Sequence, residues 1–433
     1  MMMFVGAVHW RPYHPSATTP WSLRLVHHLH RRAGFGANWD ELQRDLHASP
    51  EAAVDRLLAG SDAAVDFDSL QQLIGDAAVS SGDINRLKAW WFYRILYSDD
   101  PLTERMTLMW HNHFATSNLK VANVAMMKRQ NDRLRQNAMG KFGDLLRAAV
   151  KDAAMMVWLD AKANRKGKPN ENLARELMEL FTLGVGHYSE SDVKEVARAL
   201  TGWTIRDDAF AEVDAYHDDG AKQVLGRQGN LDGDDVLAIL LDQDAIATRI
   251  ASRLCDLFFG EDVVNSEQLN ELAAGLRERE LDVRWAVETI LRSEAFFDET
   301  NIGNRVLDPI QFMVGPLRAL EMLNPPPSTL LLTEWSARLG QDLFYPPNVF
   351  GWPNGRSWLT TRTMIGRENY MSTLCSGELH RPSRPLAIET LEQKYGCLSE
   401  SSQTKFVSEL LFGEENQTGD IESMLRSTEA HLG

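Results

Sequence analysis

Cysteine is scarce in this chain: Cys255, Cys375 and Cys397 are the only three in 433 residues. An odd, widely spaced set supports neither a disulfide framework nor a zinc-finger ligand group, and it fits a reducing compartment. No run of about 18 apolar residues occurs, so no membrane-crossing helix is predicted. The first 16 residues carry Trp10, Arg11, Pro12 and His14 where an export signal needs an unbroken apolar stretch, so the chain as given reads as unexported and cytoplasmic. Positive charge is in deficit too. Lys plus Arg number 45 against 61 Asp plus Glu, a formal net charge of −16, which opposes a nucleic acid lying across the general surface. A local basic patch able to hold one phosphate or sulfate is still compatible with that balance. The nucleophile elbow G-x-S-x-G, the Walker-type phosphate loop and a strand-linked G-x-G-x-x-G are also missing, which lowers the serine-hydrolase, NTPase and dinucleotide readings.

What is present is ordinary globular material, 44% hydrophobic with 29 Gly and 16 Pro, long enough for two or three units or one large helical domain. Helical periodicity dominates the first 200 residues. Trp90, Trp91, Phe92 and Tyr93 crowd around one helix and predict burial on most of its sides. Asp100 and Pro101 form a start signal for a helix reaching about His113. One long helix is expected from about Ala125 to Lys151. The polar, basic segment 160–169 reads as a loop leading into a helix over 170–183 that Gly184 and Gly186 end. Ser189 and Asp192 make a capping-box pattern for the next helix, through Leu200. Between 204 and 229 the pattern breaks into short pieces around Asp218, Asp219 and Gly220, which predicts a small β-hairpin excursion. The fold class that follows is mainly α, a large helical-bundle-like domain with that hairpin. The Pro-, Gly- and Asn-rich run 345–356 is too irregular for an element and long enough for a functional loop. The expected division is an N-terminal extension at 1–24, the helical domain at 25–372 and a polar helical tail at 373–433.

Three stretches concentrate reactive side chains. In Trp110–Phe114, His111 and His113 are two apart; on a helix they point about 200° apart and converge only at a helix end. The alternative makes one a core histidine and the other a surface residue. In 169–186, Asn172, Glu176 and Glu179 lie at i, i+4 and i+7. Carboxylates at i and i+3 repel unless a cation, a proton or an arginine lies between them. Arg175, four residues from both Glu171 and Glu179, offers a surface salt-bridge ladder instead, which leaves Glu176 unexplained. The third stretch is Tyr216, His217, Asp218 and Asp219, with His187 upstream: a metal-ligand or acid–base pair, or simply a way to build a turn. Lys162, Arg165, Lys166 and Lys168 before the helix at 170 form a basic loop that could attract an anion. Trp352, Trp358, Arg356, Arg362 and Arg367, with Trp203, are candidates to line a sugar or anion cleft.

Several phrases carry a resemblance: HRRAGFG (30–36), ERMTLMWHNHFATS (104–117), the block 169–186 with YSESDVKEVARALTGW (188–203), HDDGAKQVLG (217–226) and PPNVFGWPNGRSW (346–358). Together they resemble the bacterial domain-of-unknown-function family 1800, over roughly Leu25 to Tyr370. The resemblance implies no settled activity. Members are often exported and encoded beside a sulfatase-like partner family, which implies a periplasmic or polysaccharide-related role and leaves export open, although this chain lacks an export signal.

The leading expectation is a metal-dependent enzyme, a hydrolase or oxidoreductase, with His111, Glu176, His217 and Asp218 as catalytic candidates. His111, His113, Glu176 and Glu179 are the candidate ligands, an O/N set suited to Zn, Mn or Fe. The alternative is a non-catalytic carbohydrate- or protein-binding accessory protein that grips a small molecule, polysaccharide or protein partner through Trp203, Trp352, Arg356 and Trp358.

Overall fold

The computed structural model describes residues 9–60, 65–396, 400–414 and 421–433. Among them are 22 α-helices and two small two-stranded antiparallel sheets, the mainly α class expected. No described helix is long and apolar enough to cross a membrane.

Local signals account for several boundaries. Asp100 accepts the backbone N–H of Thr103, Pro101 occupies the first turn, and the helix Pro101–His113 stops where its periodicity does. Ser189 and Asp192 form the reciprocal capping box of Glu190–Ala199. In Ile84–Tyr97, Trp90, Trp91 and Phe92 are fully buried.

Elsewhere tertiary contacts override the local pattern. The expected helix over 125–151 is two, Val124–Gln136 and Phe142–Val150. In the break, Ala138 O accepts from Trp110 Nε1 at 2.8 Å, Gly140 O accepts from Val283 N and Phe142 N donates to Leu281 O. Groups that would have continued the helix are taken by other segments. The helix expected over 170–183 begins as α at Glu171–Glu176 and loosens into a π-helical turn at Leu177–Thr182. The single hairpin expected around Asp218–Gly220 is replaced by two. Trp203–Arg206 pairs with Ala209–Glu212, and Lys222–Val224 pairs with Arg227–Gly229. Each turns on two residues of positive φ, Asp207–Asp208 and Leu225–Gly226, as tight hairpin turns require. Asp218–Gly220 is the link between them.

Two hydrophobic cores form. One gathers Met106, Trp110, Phe142, Phe181, Trp203 and the helices from Gly233 to Arg292. The other gathers Trp91, Phe312, Leu343, Trp352, Trp358 and Tyr370. The helix Pro101–His113 lies between them, with Met106 and Trp110 in the first and Leu108 in the second. The tail joins the second core through Phe406, Leu410, Leu411 and Met424, and Leu307 N donates to His431 O at 2.9 Å. Residue Gly413 lies directly against Leu23, Arg24 and His27 of the first helix.

Candidate functional site

A guanidinium leaves water at a cost of several kcal/mol unless something inside replaces its hydration. Arg32, Arg105 and Arg367 are nevertheless 0%, 2% and 1% exposed. They come from three helices, Leu23–Ala33, Pro101–His113 and Thr361–Cys375, and converge on the segment 301–308. Arg105 Nη1 donates to Asp308 Oδ2 at 2.6 Å, Arg32 Nη2 to Asn301 O at 2.9 Å and Arg367 Nη2 to Leu307 O at 2.6 Å. Among the described residues, Nε and a second nitrogen of each of these three arginines have no acceptor, nor do Arg253 Nε and Arg305 Nη1.

Among the described residues lining the cavity beside this group are two carboxylates, Asp308 and Asp256. Asp308 caps the helix Pro309–Ala319. Burial pushes its carboxyl up, but Arg105 and Arg305 outweigh that and hold it below the usual range. Asp256, on the helix Asp244–Phe258, forms no ion pair or hydrogen bond among the described residues. It is exposed to solvent, and partial desolvation by the surrounding protein raises its carboxyl despite Arg253, Arg305 and Arg249. Burial, then Arg105, lowers Arg305 to about 10, partly offset by Asp308 and Asp256. Arg32 is depressed further, by burial first and then by Arg305, Arg31 and Arg105.

A cavity of about 60 Å³ opens between Arg105, Arg253, Asp256, Arg305, Asp308 and the side chains of Asn112, His113, Gln341, Trp352, Asn354 and Trp358. That is space for roughly four water-sized groups. The loop expected to be functional forms its roof, with Trp352 and Trp358 3% and 4% exposed. Asn112 anchors that roof by accepting the Trp352 N–H at 2.5 Å. A Cβ on Gly351, whose φ is +85°, would lie 2.1 Å from Asn112 Oδ1, so only glycine fits there. The phrases WHNH and FGWPNG, far apart in sequence, thus meet at one wall.

The candidate residues from the sequence distribute as follows. His111 is caged by Trp91, Phe344 and Trp352, stacking on the last at 5.6 Å. Neither of its ring nitrogens has a partner among the described residues, and burial lowers its pKa to about 4. His113 turns the other way, its Nε2 at 3.1 Å from Phe181 O in the π-helical turn. Burial, then Arg253 and Arg249, hold it well below its usual pKa. Arg175 pairs with Glu171 at 3.2 Å and with Glu190 at 2.7 Å, and the expected partner Glu179 instead accepts from Tyr188 Oη at 2.7 Å. Glu179 lies inside the π-helical turn, so the i+4 spacing no longer aims it at Arg175. Burial, then Glu179, raises the Glu176 carboxyl.

His217 Nδ1 donates to Thr201 O at 2.8 Å. Asp218 accepts from Arg198 Nε at 2.9 Å, which lowers its pKa to about 2. Asp219 pairs with Lys166 of the basic loop at 2.8 Å. Trp203 belongs to the other core, under Lys151 and beside Phe210. Arg356 is exposed at the roof's rim and pairs with Glu261 at 3.2 Å. Trp352 and Trp358 alone of the four proposed ligand-binding residues line the cavity. Among the described residues no three His, Cys, Asp or Glu side chains gather to hold a metal ion, so His111, His113, Glu176 and Glu179 do not fit one shared ion.

Arg367 was among the anion-cleft candidates of the sequence, whereas Arg32 and Arg105 were not, although a signal existed. Arg105 is three residues after Leu102 and four before Met109, and Arg32 follows Leu25 and Leu29 at steps of four and three. A cation within an apolar stripe is a buried cation.

Fold and site together define a mainly α-helical protein with a buried arginine cluster and a tryptophan-roofed cavity between two cores. Over residues 28–431 the chain matches, and belongs to, the family described as protein of unknown function (DUF1800). No curated protein and no solved structure matches it.

Proposed function

We propose that this protein is a binding protein for an anionic ligand, whose carboxylate, sulfate or phosphate group enters the arginine cavity. The observation that carries the reading is Arg105. It lines the cavity and is 2% exposed, yet Nε and Nη2 have no acceptor among the described residues, while its third nitrogen is held by Asp308. Arg105, Arg253 and Arg305 line the cavity against two carboxylates, Asp256 and Asp308, so the lining carries an excess of positive charge. An oxyanion supplies what is missing, because guanidinium forks bind it bidentately and such charge-assisted bonds strengthen where Trp352 and Trp358 exclude water.

The test is a titration of sulfate and of phosphate against chloride at constant ionic strength, followed by thermal melting. A ligand at 100 times its Kd stabilises by about 2.7 kcal/mol, a shift of several degrees at most for a chain of this size. The Arg253→Met variant, which breaks no ion pair among the described residues, should lose most of that shift. Equal melting in sulfate, phosphate and chloride would reject the proposal.

A second reading, metal-dependent hydrolysis or oxidation, rests on Glu176, which lies three residues from Glu179 and forms no ion pair or hydrogen bond among the described residues, while burial and Glu179 raise its carboxyl. Metal content of protein purified without chelators decides it, since near-stoichiometric metal lost in a folded Glu176→Ala variant would support that chemistry.

A further inference from the structure

Resting on the oxyanion reading, we infer that the ligand carries a hydroxyl next to its oxyanion, and that Asp256 selects for it by accepting that hydroxyl's hydrogen bond. The carboxyl groups around the cavity are not equivalent. Asp308 is committed twice, to Arg105 at 2.6 Å and to the Gln311 N–H at 3.0 Å. Asp256 lines the same cavity, is reached by water and makes neither an ion pair nor a hydrogen bond among the described residues. Its neighbours Arg253 and Arg305 present nitrogens without acceptors. The cavity therefore offers donors for an oxyanion and, beside them, one uncommitted acceptor.

Size and charge narrow the choice. About 60 Å³ suits a group of roughly four or five heavy atoms, the size of a 2-hydroxycarboxylate end. An ammonium next to the carboxylate would also satisfy Asp256, but a zwitterion brings no net charge to a site with surplus positive charge. A hydroxyl donates without adding a cation, and the ligand keeps its net negative charge. A hydroxyl that donates to this carboxylate adds a charge-assisted hydrogen bond that the analogue without it cannot make, and because Asp256 is exposed that gain is set against a bond to water.

The probes are acetate, glycolate and glycine, titrated at constant ionic strength and followed by chemical-shift changes of the protein, with sulfate as a check on the oxyanion site. Glycolate should bind about tenfold more tightly than acetate, and glycine more weakly than glycolate. In Asp256→Ala the glycolate advantage should collapse towards onefold, while acetate binds as well as before or better, since a negative charge has left the cavity. Asp256→Glu should restore part of the preference. Equal binding of acetate and glycolate, or a preference that survives Asp256→Ala, overturns the hydroxyl inference and leaves the oxyanion site standing. Failure of all four ions to bind overturns both.

Discussion

Glu104 and Arg105 are neighbours on one helix, and both are almost fully buried, yet their surroundings differ in kind. Glu104 receives Arg94 at 2.8 Å and Arg135 at 2.7 and 3.0 Å, so both of its oxygens are engaged. The two arginines overcome the desolvation that would raise its carboxyl. Arg105 has one carboxylate at 2.6 Å and two nitrogens without an acceptor beside a cavity. Burial and charge are common to both clusters. What separates a structural ion cluster from a candidate recognition site is whether the chain itself supplies every partner. The stretch 166–219 lies at the structural end of that scale: Lys166–Asp219, Arg175–Glu190 and Arg198–Asp218 are mutually satisfied, mostly exposed pairs.

The largest effect that sharpens this contrast comes from removing one partner in each cluster. Asp308→Ala and Glu104→Ala should each cost about 3–5 kcal/mol in urea denaturation, because each strands buried guanidinium charge. Saturating sulfate should return more of that loss to Asp308→Ala, whose bared arginine borders the cavity, than to Glu104→Ala. Equal recovery in the two variants would erase the distinction.

A smaller effect concerns His111, which shares the roof tryptophan with the cavity. Its pKa is depressed to about 4 by burial, so below about 6.5 the unfolded chain takes up a proton that the folded chain refuses. That contribution to stability is whole above pH 6.5 and falls as pH drops towards 4, by about 3 kcal/mol over the window. His111→Phe, placing another ring in the cage of Trp91, Phe344 and Trp352, should flatten that part of the stability–pH curve relative to the parent. Parallel curves for the two proteins would show that His111 does not carry it.

The smallest effect is expected where every charge is paired and wet. Arg175→Ala should change stability by no more than about 1 kcal/mol and leave the sulfate-dependent shift in melting unchanged. A lost sulfate response in that variant would move the oxyanion site from the cavity to Arg175.

Much of the architecture was legible because caps and periodicity act locally: Asp100 with Pro101 and Ser189 with Asp192 fixed their helices without distant help. The break after Gln136 was not, since it depends on Leu281 and Val283 accepting and donating across more than a hundred residues. The site divides the same way. The roof loop was visible from composition, and Trp352 and Trp358 with it. The i, i+3 and i, i+4 spacing of Glu176, Glu179 and Arg175 misled because it assumes an α-helix through a segment that widens into a π-helical turn. Arg32 and Arg105 were not singled out because a spacing rule describes one helix at a time, and their convergence is a property of three.

The seating of Gly413 against Leu23, Arg24 and His27 bears on how the chain is made. The first helix emerges from the ribosome long before the residues that cover it. At about 5–20 residues per second, the intervening stretch of nearly 400 takes roughly 20–80 s to synthesise. During that interval the apolar side of Leu23–Ala33 lacks its final cover, and the arginine cluster that Arg32 joins stays incomplete until Arg305 and Asp308 have been added. Maturation of the pocket is therefore a late event, which waits for Arg305, Asp308 and the roof tryptophans rather than following the early helices.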